Sequence, residues 1–512
     1  MSILITHKKG IHHRLSRLGI APFVGIMLIF SLAMAACQPI LGSQAQGDAT
    51  QVLSGEGAGA NFPSGQVTAS PSRPVYSPGE LVDYVAQTGD TLPALAAHFN
   101  TSVNEILEAN SFIPTNATTL PPGMPMRIPI YYAPFWGPAN QIIPDSLFIN
   151  GPAQVGVNLP DFVSGFPGWI KGYHSWADDA NRSGAEIIEL VAENFSLSPR
   201  LLLALLEYQT GALTSPELPP DGDAYLLGRR DWQRKGLYLQ LVWAANTLNN
   251  GYYGWRTGKL TTFEHLDGRV ERPDPWQNAA SVALQYYFSR LFNSELYVRA
   301  VSPEGFAKTY QSLFGDPWQS LQSHIPGSLE QPSFALPFTP GLTWAFTGGP
   351  HTGWGDGDPL AAVDFAPGSS QHGCYSTGEW ATAVASGIVV RSDAGVVVLD
   401  LDQDGDERTG WVIFYFHVGT EGRAFVGQGL QAGEPIGHPS CEGGRATGTH
   451  IHIARKYNGE WIPAAGILPF NLGGWVAQSG DRPYQGYLIK NTRRIIACDC
   501  ADQGSQLQAE AK

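Results

Sequence analysis

The chain is poor in charged residues, and positive charge is the scarcer sign. Of its 512 residues only 15% are charged, and 31 Lys and Arg face 45 Asp and Glu, which gives a formal net charge of −14. A nucleic-acid backbone is held by clustered Lys and Arg, and no basic patch offsets the acidic balance. The composition therefore argues against a nucleic-acid partner.

The composition also gives little support for long helices. The chain contains 59 glycines and 38 prolines, which interrupt regular structure and favour loop-rich β modules joined by linkers. A chain of 512 residues is too long to fold around one ordinary hydrophobic core. At about 150 residues per domain, we expect roughly three domains. We therefore expect a multidomain α+β fold.

The first 37 residues have the features of an export signal. Four basic residues precede an apolar run over 18–36, which ends in small residues before Cys37; this is the order of a secretory signal peptide. The segment resembles a bacterial lipobox, which implies that Cys37 is lipidated and anchors the mature protein to the membrane. The alternative is an uncleaved transmembrane anchor, because about 20 apolar residues span a bilayer. Both place the rest of the chain outside the cytoplasmic membrane.

A linker and a small compact segment follow. Residues 38–79 are rich in Ser, Gly, Ala, Gln and Pro, a composition that predicts a flexible tether. Residues 80–131 contain Gly89-Asp90-Thr91-Leu92, Asn110 and a Pro-Gly turn before a last strand. They resemble a LysM module of βααβ fold. The resemblance implies binding to N-acetylglucosamine-containing glycan, with Gly89, Asp90, Thr91 and Asn110 as the candidate contacts; the alternative is a helical hairpin without a ligand.

The region 140–328 is the most helical part of the sequence. Apolar residues recur at helical spacing over 185–195, and Ser198-Pro199 forms a helix start before 201–211. Two more helices are expected over 237–248 and 276–292. The region weakly resembles the lysozyme-like fold of lytic transglycosylases. That family has a catalytic Glu where this chain has Gln209, and an amide cannot protonate a leaving oxygen. We therefore expect a non-catalytic spacer or glycan-docking domain.

One aromatic cluster in this region allows two interpretations. Tyr252, Tyr253 and Trp255 lie close together in a stretch that also contains Gly251 and Gly254. Such rings could stack on sugars, or they could be core residues, which is the commoner fate of aromatic clusters.

Five residues between 341 and 455 form a candidate metal site. They are His351, Asp364, His417, His450 and His452. Alternate residues of a strand share a face, so His450 and His452 would point into a site while Ile451 and Ile453 point into a core. Catalytic zinc takes three His or carboxylate ligands and leaves a fourth position open. Apolar runs over 360–363 and 411–416 predict the strands that deliver Asp364 and His417, and Gly348-Gly349-Pro350 before His351 is a loop signal.

Residues 329–490 resemble a lysostaphin-type zinc metallopeptidase, an endopeptidase of peptidoglycan with a small, mostly antiparallel β fold. The matching residues are Gly-Pro-His351, Val363-Asp364-Phe365, Tyr415-Phe416-His417 and Gly448-Thr449-His450-Ile451-His452. The resemblance implies that His351, Asp364 and His452 bind Zn²⁺, and that His417 and His450 act on water and the oxyanion.

The chain departs from this family's pattern between the first two ligands. His351 and Asp364 are thirteen positions apart, farther than is usual in the family, and a Gly- and Asp-rich insertion over 352–359 separates them. The insertion could form a loop over the site, or Asp356 or Asp358 could be the true ligand. We expect Asp364, because the apolar residues before it predict a strand that fixes its carboxylate.

The remaining signals concern an acidic stretch and the cysteines. Residues 400–406 mimic the start of a calcium loop, but Trp411 stands where an EF-hand needs Glu, so an acidic hairpin tip is the preferred interpretation and a weak calcium site the alternative. Beyond Cys37, four cysteines suggest disulfides outside the cytoplasm. We expect a Cys374–Cys441 bridge beside the site. Cys498 and Cys500 are too close in sequence for an ordinary bridge, and residues 491–512 are expected to form a C-terminal tail.

Together these features predict an enzyme of the cell envelope. A LysM module would hold the glycan strands of peptidoglycan, and the zinc domain would cut its peptide stems. The alternative is a wall-binding scaffold, or a regulator of another wall hydrolase, whose peptidase-like domain no longer cleaves.

Overall fold

The computed structural model describes residues 73–131, 136–319, 322–368, 371–500 and 502–510. All of them belong to one compact unit that spans residues 56–512. The predicted signal peptide, most of the predicted tether and the lipidation site Cys37 lie outside the described residues. Within these ranges, no helix is both long enough and apolar enough to cross a membrane.

The N-terminal module has the expected βααβ order. Its elements are β1 (Glu80–Val85), α1 (Leu92–His98), α2 (Val103–Ala109) and β2 (Pro125–Ile130). The two strands pair antiparallel, with Glu80 opposite Ile130. The Thr91 hydroxyl accepts from the backbone N–H of Ala94 and begins α1, and Ser102 forms a capping box with Glu105 at the start of α2.

The stretch before this module is fixed to the rest of the chain. Arg73 makes a salt bridge of 2.7 Å with Asp274, and the Tyr76 ring lies about 6 Å from the rings of Trp136 and Trp276. Arg73 and Tyr76 therefore contact the rest of the chain, whereas Val75 between them is fully exposed, and the flexible tether over 38–79 stays a prediction.

Residues 141–319 are mainly helical. Short 3₁₀ turns lie at Asp145–Leu147, Pro152–Gln154, Trp169–Gly172 and Trp232–Arg234, and two small hairpins are formed by β3 (His174–Ala177) with β4 (Ala180–Ser183) and by β5 (Phe263–Glu264) with β6 (Val270–Glu271). The helices are α3 (Leu159–Ser164), α4 (Gly184–Phe195), α5 (Pro199–Thr210), α6 (Leu237–Arg256), α7 (Ala279–Ser289), α8 (Ser294–Val301) and α9 (Phe306–Phe314).

The helix starts follow the predicted signals more closely than the helix ends. Ser198 caps α5 with Pro199 in its first turn, and Gly211 ends it in a left-handed conformation. Helix α6 continues past the predicted end at residue 248 to Arg256, and Gly251 in this extension lies close to the backbone of α7. The aromatic cluster at its C-terminal end, Tyr252, Tyr253 and Trp255, is buried. The core interpretation of that cluster is correct, and the sugar-stacking alternative is wrong.

The C-terminal region is built on antiparallel strands. They are β7 (Thr343–His351), β8 (Ala362–Pro367), β9 (Ala381–Thr382), β10 (Gly387–Asp393), β11 (Val396–Asp400), β12 (Trp411–Phe416), β13 (Gly429–Leu430), β14 (Pro435–Gly437), β15 (Ile451–Tyr457), β16 (Glu460–Trp461), β17 (Asn471–Leu472), β18 (Trp475–Ser479), β19 (Gly486–Lys490), β20 (Arg493–Ile496) and β21 (Gln506–Gln508). The main sheet has the order β13-β10-β11-β12-β15-β8-β7-β21, with β16 paired to β15. Strands β17 to β20 form a second sheet, and β9 pairs with β14.

The main sheet is buried on both faces. One face, which carries Val398, Phe414 and Ala454, joins the core of the helical region. The other carries Ile413, Ile451 and Ile453 and packs under the second sheet. The helical region therefore covers the sheet as a second layer, and the two share one apolar core.

Two predictions about the C-terminus are corrected. The described residues between 491 and 510 do not form the expected tail, because β20 pairs with β19 and β21 pairs with β7 at the sheet edge. Cys498 and Cys500 form a disulfide with each other, since a turn brings their Cα atoms to 5.1 Å, within the range that a disulfide spans. The expected Cys374–Cys441 bridge is present.

Candidate metal centre

Strand register brings three predicted ligands together. On three adjacent strands of the main sheet, His452 of β15 lies opposite Asp364 of β8, and Asp364 lies opposite Gly348 of β7. His351 is at the end of β7. The loop signal before it falls inside this strand, where two register shifts bend the backbone. Ile451 and Ile453 point into the core, as strand alternation predicts.

The ligand atoms of these residues converge at one point. His351 Nε2 lies 3.0 Å from His452 Nδ1, and Asp364 Oδ1 lies 3.2 Å from the first nitrogen and 3.4 Å from the second. All three residues are buried. They offer two imidazoles and one carboxylate, the set that catalytic zinc takes when it keeps an open position.

The hydrogen bonds of the two imidazoles indicate a cation between them. His351 Nδ1 faces the carbonyl of Gly349 at 2.8 Å, and His452 Nε2 faces the carbonyl of Gly353 at 3.1 Å. A carbonyl only accepts, so these nitrogens carry the protons and the two facing nitrogens carry lone pairs. Two lone pairs 3.0 Å apart repel each other. A metal ion removes that repulsion, so the residues present fit zinc.

The carboxylate supports the same conclusion. Asp364 Oδ1 is buried and accepts no well-aligned hydrogen bond among the described residues, which is costly unless a cation satisfies it. Burial alone would raise the pKa of Asp364, but the histidines around it, His351 first, hold that pKa well below its ordinary value. Gly348 makes room for the carboxylate, because a Cβ there would overlap it.

The other two predicted histidines lie beside the ligands. His450 Nε2 is 3.9 Å from Asp364 Oδ1, and the ring centroids of His417 and His450 are 4.6 Å apart. Their Nδ1–H groups donate to the carbonyls of Glu442 and Gly448 respectively, so each keeps a lone pair on Nε2. Burial lowers the pKa of His417 to about 3, which keeps its ring neutral.

The backbone at His417 is unusual. It directly follows β12 and has a φ of 61°, a left-handed conformation that non-glycine residues adopt at a cost of about 1 kcal/mol or more. This turn ends the strand and leaves the imidazole at the wall of the cavity that contains the ligands.

The insertion after His351, which we call the insertion loop (residues 352–359), does not supply a ligand. The backbone N–H groups of Asp356 and Asp358 donate to Asn246 and Asn250 of α6, and the Asp358 carboxylate pairs with Lys259 at 3.1 Å. Both aspartates therefore lie against the helical region, whereas Asp364 lies among the histidines. Asp364 as the ligand stays a prediction, and the two alternative aspartates lie on the side of the loop that faces α6.

An open groove leads to the site. It encloses about 1300 Å³, and the five residues line it together with the Cys498–Cys500 disulfide, Arg445 and Tyr484. The Tyr484 ring stacks on His351 with centroids 4.1 Å apart. A cavity of this size, open to solvent, has room for an extended peptide.

Sequence reasoning missed several parts of the site. Gly349 and Gly353 act through carbonyl oxygens, which every residue has, so no sequence signal could reveal them. Tyr484 lies far from the motif residues in sequence, in a left-handed conformation with a φ of 69°. Arg445 lies five positions before His450 and could have been singled out as a cation inside the motif region.

The predicted glycan contacts of the N-terminal module are used within the protein. Asp90 is buried and accepts from the Tyr84 hydroxyl and the Gln87 N–H. Thr91 caps α1, and Asn110 bonds the backbone of Arg127. Gly89 lies against the side chain of Arg256 in α6. These bonds explain the residues structurally, and glycan contact by them stays a prediction.

Gln209 and Glu207 of α5 both make hydrogen bonds within the helical region. Gln209 donates to the Tyr287 hydroxyl at 2.9 Å, and Glu207 accepts from the loop N–H of Leu213 and the Thr214 hydroxyl. Gln209 carries no carboxyl group, and the Glu207 carboxylate is used in hydrogen bonds within the helical region.

Residues 400–406 lie at the tip of the β11–β12 hairpin. Asp400, Asp402 and Asp404 lie close enough there to share a metal ion, so the weak calcium site stays a prediction.

Comparison with known proteins gives consistent results. Residues 84–129 match the LysM domain family, and residues 141–327 match the family described as LasA, N-terminal domain. Protease LasA of Pseudomonas aeruginosa is 30% identical over 321 residues, which cover 58% of this chain and 72% of that protein. The beta-lytic metalloendopeptidase of Achromobacter lyticus is 29% identical over 134 residues, 25% of this chain and 33% of that protein.

Part of the chain also resembles a solved structure. The M23 metalloprotease pseudoalterin, from the deep sea, is 24% identical and covers 33% of this chain and 96% of its own, with a TM-score of 0.28.

Proposed function

This chain belongs to the LasA protease family, and from that premise we propose that it hydrolyses peptide cross-links of peptidoglycan in the cell envelope. We infer that it is a metalloendopeptidase with zinc as its cofactor, because a relative is named a metalloendopeptidase and two imidazoles with one carboxylate suit catalytic zinc. The observation that carries the proposal is the pair of facing lone pairs on His351 and His452 beside the carboxylate of Asp364. Two more histidines, His417 and His450, line the same open groove.

In this proposal, His351, Asp364 and His452 would hold the zinc. Zinc at such a site supplies a Lewis acid and lowers the pKa of bound water toward about 7. His450 Nε2 or His417 Nε2 takes the proton that the attacking water releases, because both nitrogens carry lone pairs. The imidazolium formed is an N–H donor, so it can steady the oxyanion and then protonate the leaving amine.

The chain's other regions fit a wall enzyme that acts outside the cytoplasm. The LysM module (residues 80–131) would hold glycan strands near the groove, which raises the local concentration of peptide stems. Lipidation of Cys37, which would become the mature N-terminus once the residues before it are removed, would keep the enzyme at the membrane surface. The helical region (140–328) would serve as a lysozyme-like, non-catalytic spacer or docking domain, since Gln209 replaces the acid. The peptidase domain would begin near residue 329.

Two single variants of the full chain test the proposal. His452→Ala should reduce zinc from about one per chain to near zero and abolish cleavage, because it removes a ligand. His450→Ala should keep the zinc and lose most activity, by about 100-fold or more, because it removes a proton acceptor. Zinc is measured by elemental analysis, and cleavage by new amino termini released from purified peptidoglycan.

The outcomes separate the alternatives. Zinc binding without cleavage by the wild-type chain would favour the wall-binding scaffold. Full activity with bound zinc in both variants would overturn the site assignment. The same release assay with Gln209→Ala serves as a control, because that side chain is outside the groove and the variant should cleave normally.

A further inference from the structure

The insertion loop connects the metal centre to helix α6 of the helical region. Its first residues lie at the site, where the Gly353 carbonyl accepts from His452 Nε2 at 3.1 Å. Its last residues lie against α6. The backbone N–H of Gly353 also donates to the Pro359 carbonyl at 3.1 Å, which ties the two ends of the loop together. A shift of the loop on α6 would therefore reach Gly353.

The site end of the loop touches a second functional histidine through aromatic rings. Trp354 packs against Phe414 and Phe416, with centroids 5.8 Å and 4.9 Å away. Phe416 stacks on His417 at 4.2 Å. The loop thus supports both a ligand, through the Gly353 carbonyl, and a proton-transfer histidine, through two rings.

The helix end of the loop is held by two asparagines one helical turn apart. Asn246 Oδ1 accepts from the N–H of Asp356 at 2.6 Å, and Asn250 Oδ1 accepts from the N–H of Asp358 at 2.7 Å. Gly355 and Gly357 make this approach possible, because both have left-handed backbones and a Cβ on either would overlap the helical region. The close fit shows that the loop and the helix are complementary.

We propose that Asn246 and Asn250 are positioning residues of the metal centre. By fixing the insertion loop they fix the Gly353 carbonyl, which holds His452 in the tautomer that turns Nδ1 toward the metal. The helical region then acts as part of the metal site's support, a role beyond that of a spacer. The inference rests on the proposed ligand role of His452.

The expected size of the effect follows from partners of metal-bound histidines in general. Loss of the group that orients a ligating imidazole costs about 10- to 100-fold in metal affinity or activity. Here the orienting carbonyl stays but is loosened, so we expect the lower part of that range for the double variant Asn246→Ala/Asn250→Ala. The groove walls are unchanged, so the loss should fall on kcat more than on KM.

The test uses the full chain loaded with zinc. The main readout is the rate of zinc transfer to a chelator, which does not require turnover, and the second is the visible spectrum of the Co²⁺-substituted protein, which reports ligand geometry. The double variant should release zinc about 10-fold faster than wild type and change the Co²⁺ spectrum. Asn246→Asp should behave like wild type, because a carboxylate oxygen still accepts from the N–H of Asp356.

A matched control is Asn181→Ala, an exposed position of the helical region away from the loop. It should leave zinc release and the spectrum unchanged. Wild-type zinc release and spectrum in the double variant would overturn the proposal, as would an equal effect of the control. Failure of wild-type protein to cleave peptidoglycan would refute the proposed function alone, because zinc release would still report on the loop.

Discussion

Backbone carbonyls determine which nitrogen of each active-site histidine is free. His351, His417, His450 and His452 each face a carbonyl oxygen with one ring nitrogen, at distances between 2.7 and 3.1 Å. The sequence motif predicts which side chains meet, whereas these bonds decide what each can do. In the proposed function, two of the histidines would present lone pairs to a metal ion, and the other two would present lone pairs to a proton.

A fifth histidine, His98, gives a prediction at the residue scale. It is buried between the N-terminal module and α6, where it stacks on Trp255 with centroids 3.5 Å apart, and burial lowers its pKa to about 3. In the unfolded chain the pKa is about 6.5. Between these values the unfolded chain binds a proton that the folded protein excludes, so stability should fall as the pH drops below about 6.5.

The measurement is urea unfolding of wild type and His98→Phe at pH 7.5 and 5. Wild type should lose about 2 kcal/mol more than the variant, at about 1.4 kcal/mol per pH unit below the unfolded pKa. Burial raises the pKa of Asp90 to about 6, so this carboxyl makes the folded protein more stable as the pH falls. Asp90 is present in both proteins, so its contribution cancels in the comparison. Equal pH dependence of the two proteins would contradict a buried neutral His98.

At the scale of elements, short strands decide how the sheet is closed. Strand β21 has three residues, yet it covers the free edge of β7 and buries Leu507. Its sequence has no periodicity that distinguishes it from a tail, so local patterns do not predict this strand. Longer strands with apolar patterns, such as β12 and β15, were predictable from local sequence alone.

Removal of residues 502–512 tests the role of β21. The truncated chain should lose about 3–5 kcal/mol of unfolding free energy, since burial of a Leu contributes about 2–3 kcal/mol and each strand hydrogen bond about 1 kcal/mol. Zinc should also bind more weakly, because β7 carries His351. Chemical denaturation and zinc titration measure the two effects. A chain that lacks only 511–512 is the control, and unchanged stability after the longer deletion would mean that the strand contributes nothing.

At the scale of the whole molecule, one buried network joins the three regions. Arg256 of α6 pairs with Glu460 of β16 at 3.0 Å and with Asp145 at 3.2 Å, and it also donates to the Thr88 carbonyl of the N-terminal module. Glu460 further accepts from Tyr252 at 2.9 Å. The side chains of Arg256, Glu460 and Asp145 are buried, so each charge is stabilised by its partners and not by water.

Breaking this network should weaken the whole molecule. Arg256→Met leaves Glu460 buried without its main partner, which should cost about 3–5 kcal/mol. The double variant Arg256→Met/Glu460→Gln should recover part of that loss, because residue 460 then no longer carries a buried, unpaired negative charge. Unfolding free energies of the single and double variants give the coupling between them. Strictly additive losses would show that the two side chains do not interact.

The sequence predicted the regions but not how they join. The βααβ order, the helix starts and the strands that carry Asp364 and His417 follow from caps and apolar patterns within a few residues. The shared core of sheet and helices, the docking of the insertion loop on Asn246 and Asn250, and the Arg256 network involve residues separated by about a hundred positions or more. Local patterns do not encode which distant segment will be the partner.

The Arg256 network also has a mechanical consequence. A binding module on a loose linker lets an attached cutting domain search every bond within its reach. Here the module, the helices and the groove form one block, so a glycan strand held by the module would meet the catalytic groove at a fixed distance and angle. Such an enzyme would cleave peptide stems at a fixed distance from the glycan unit that the module binds.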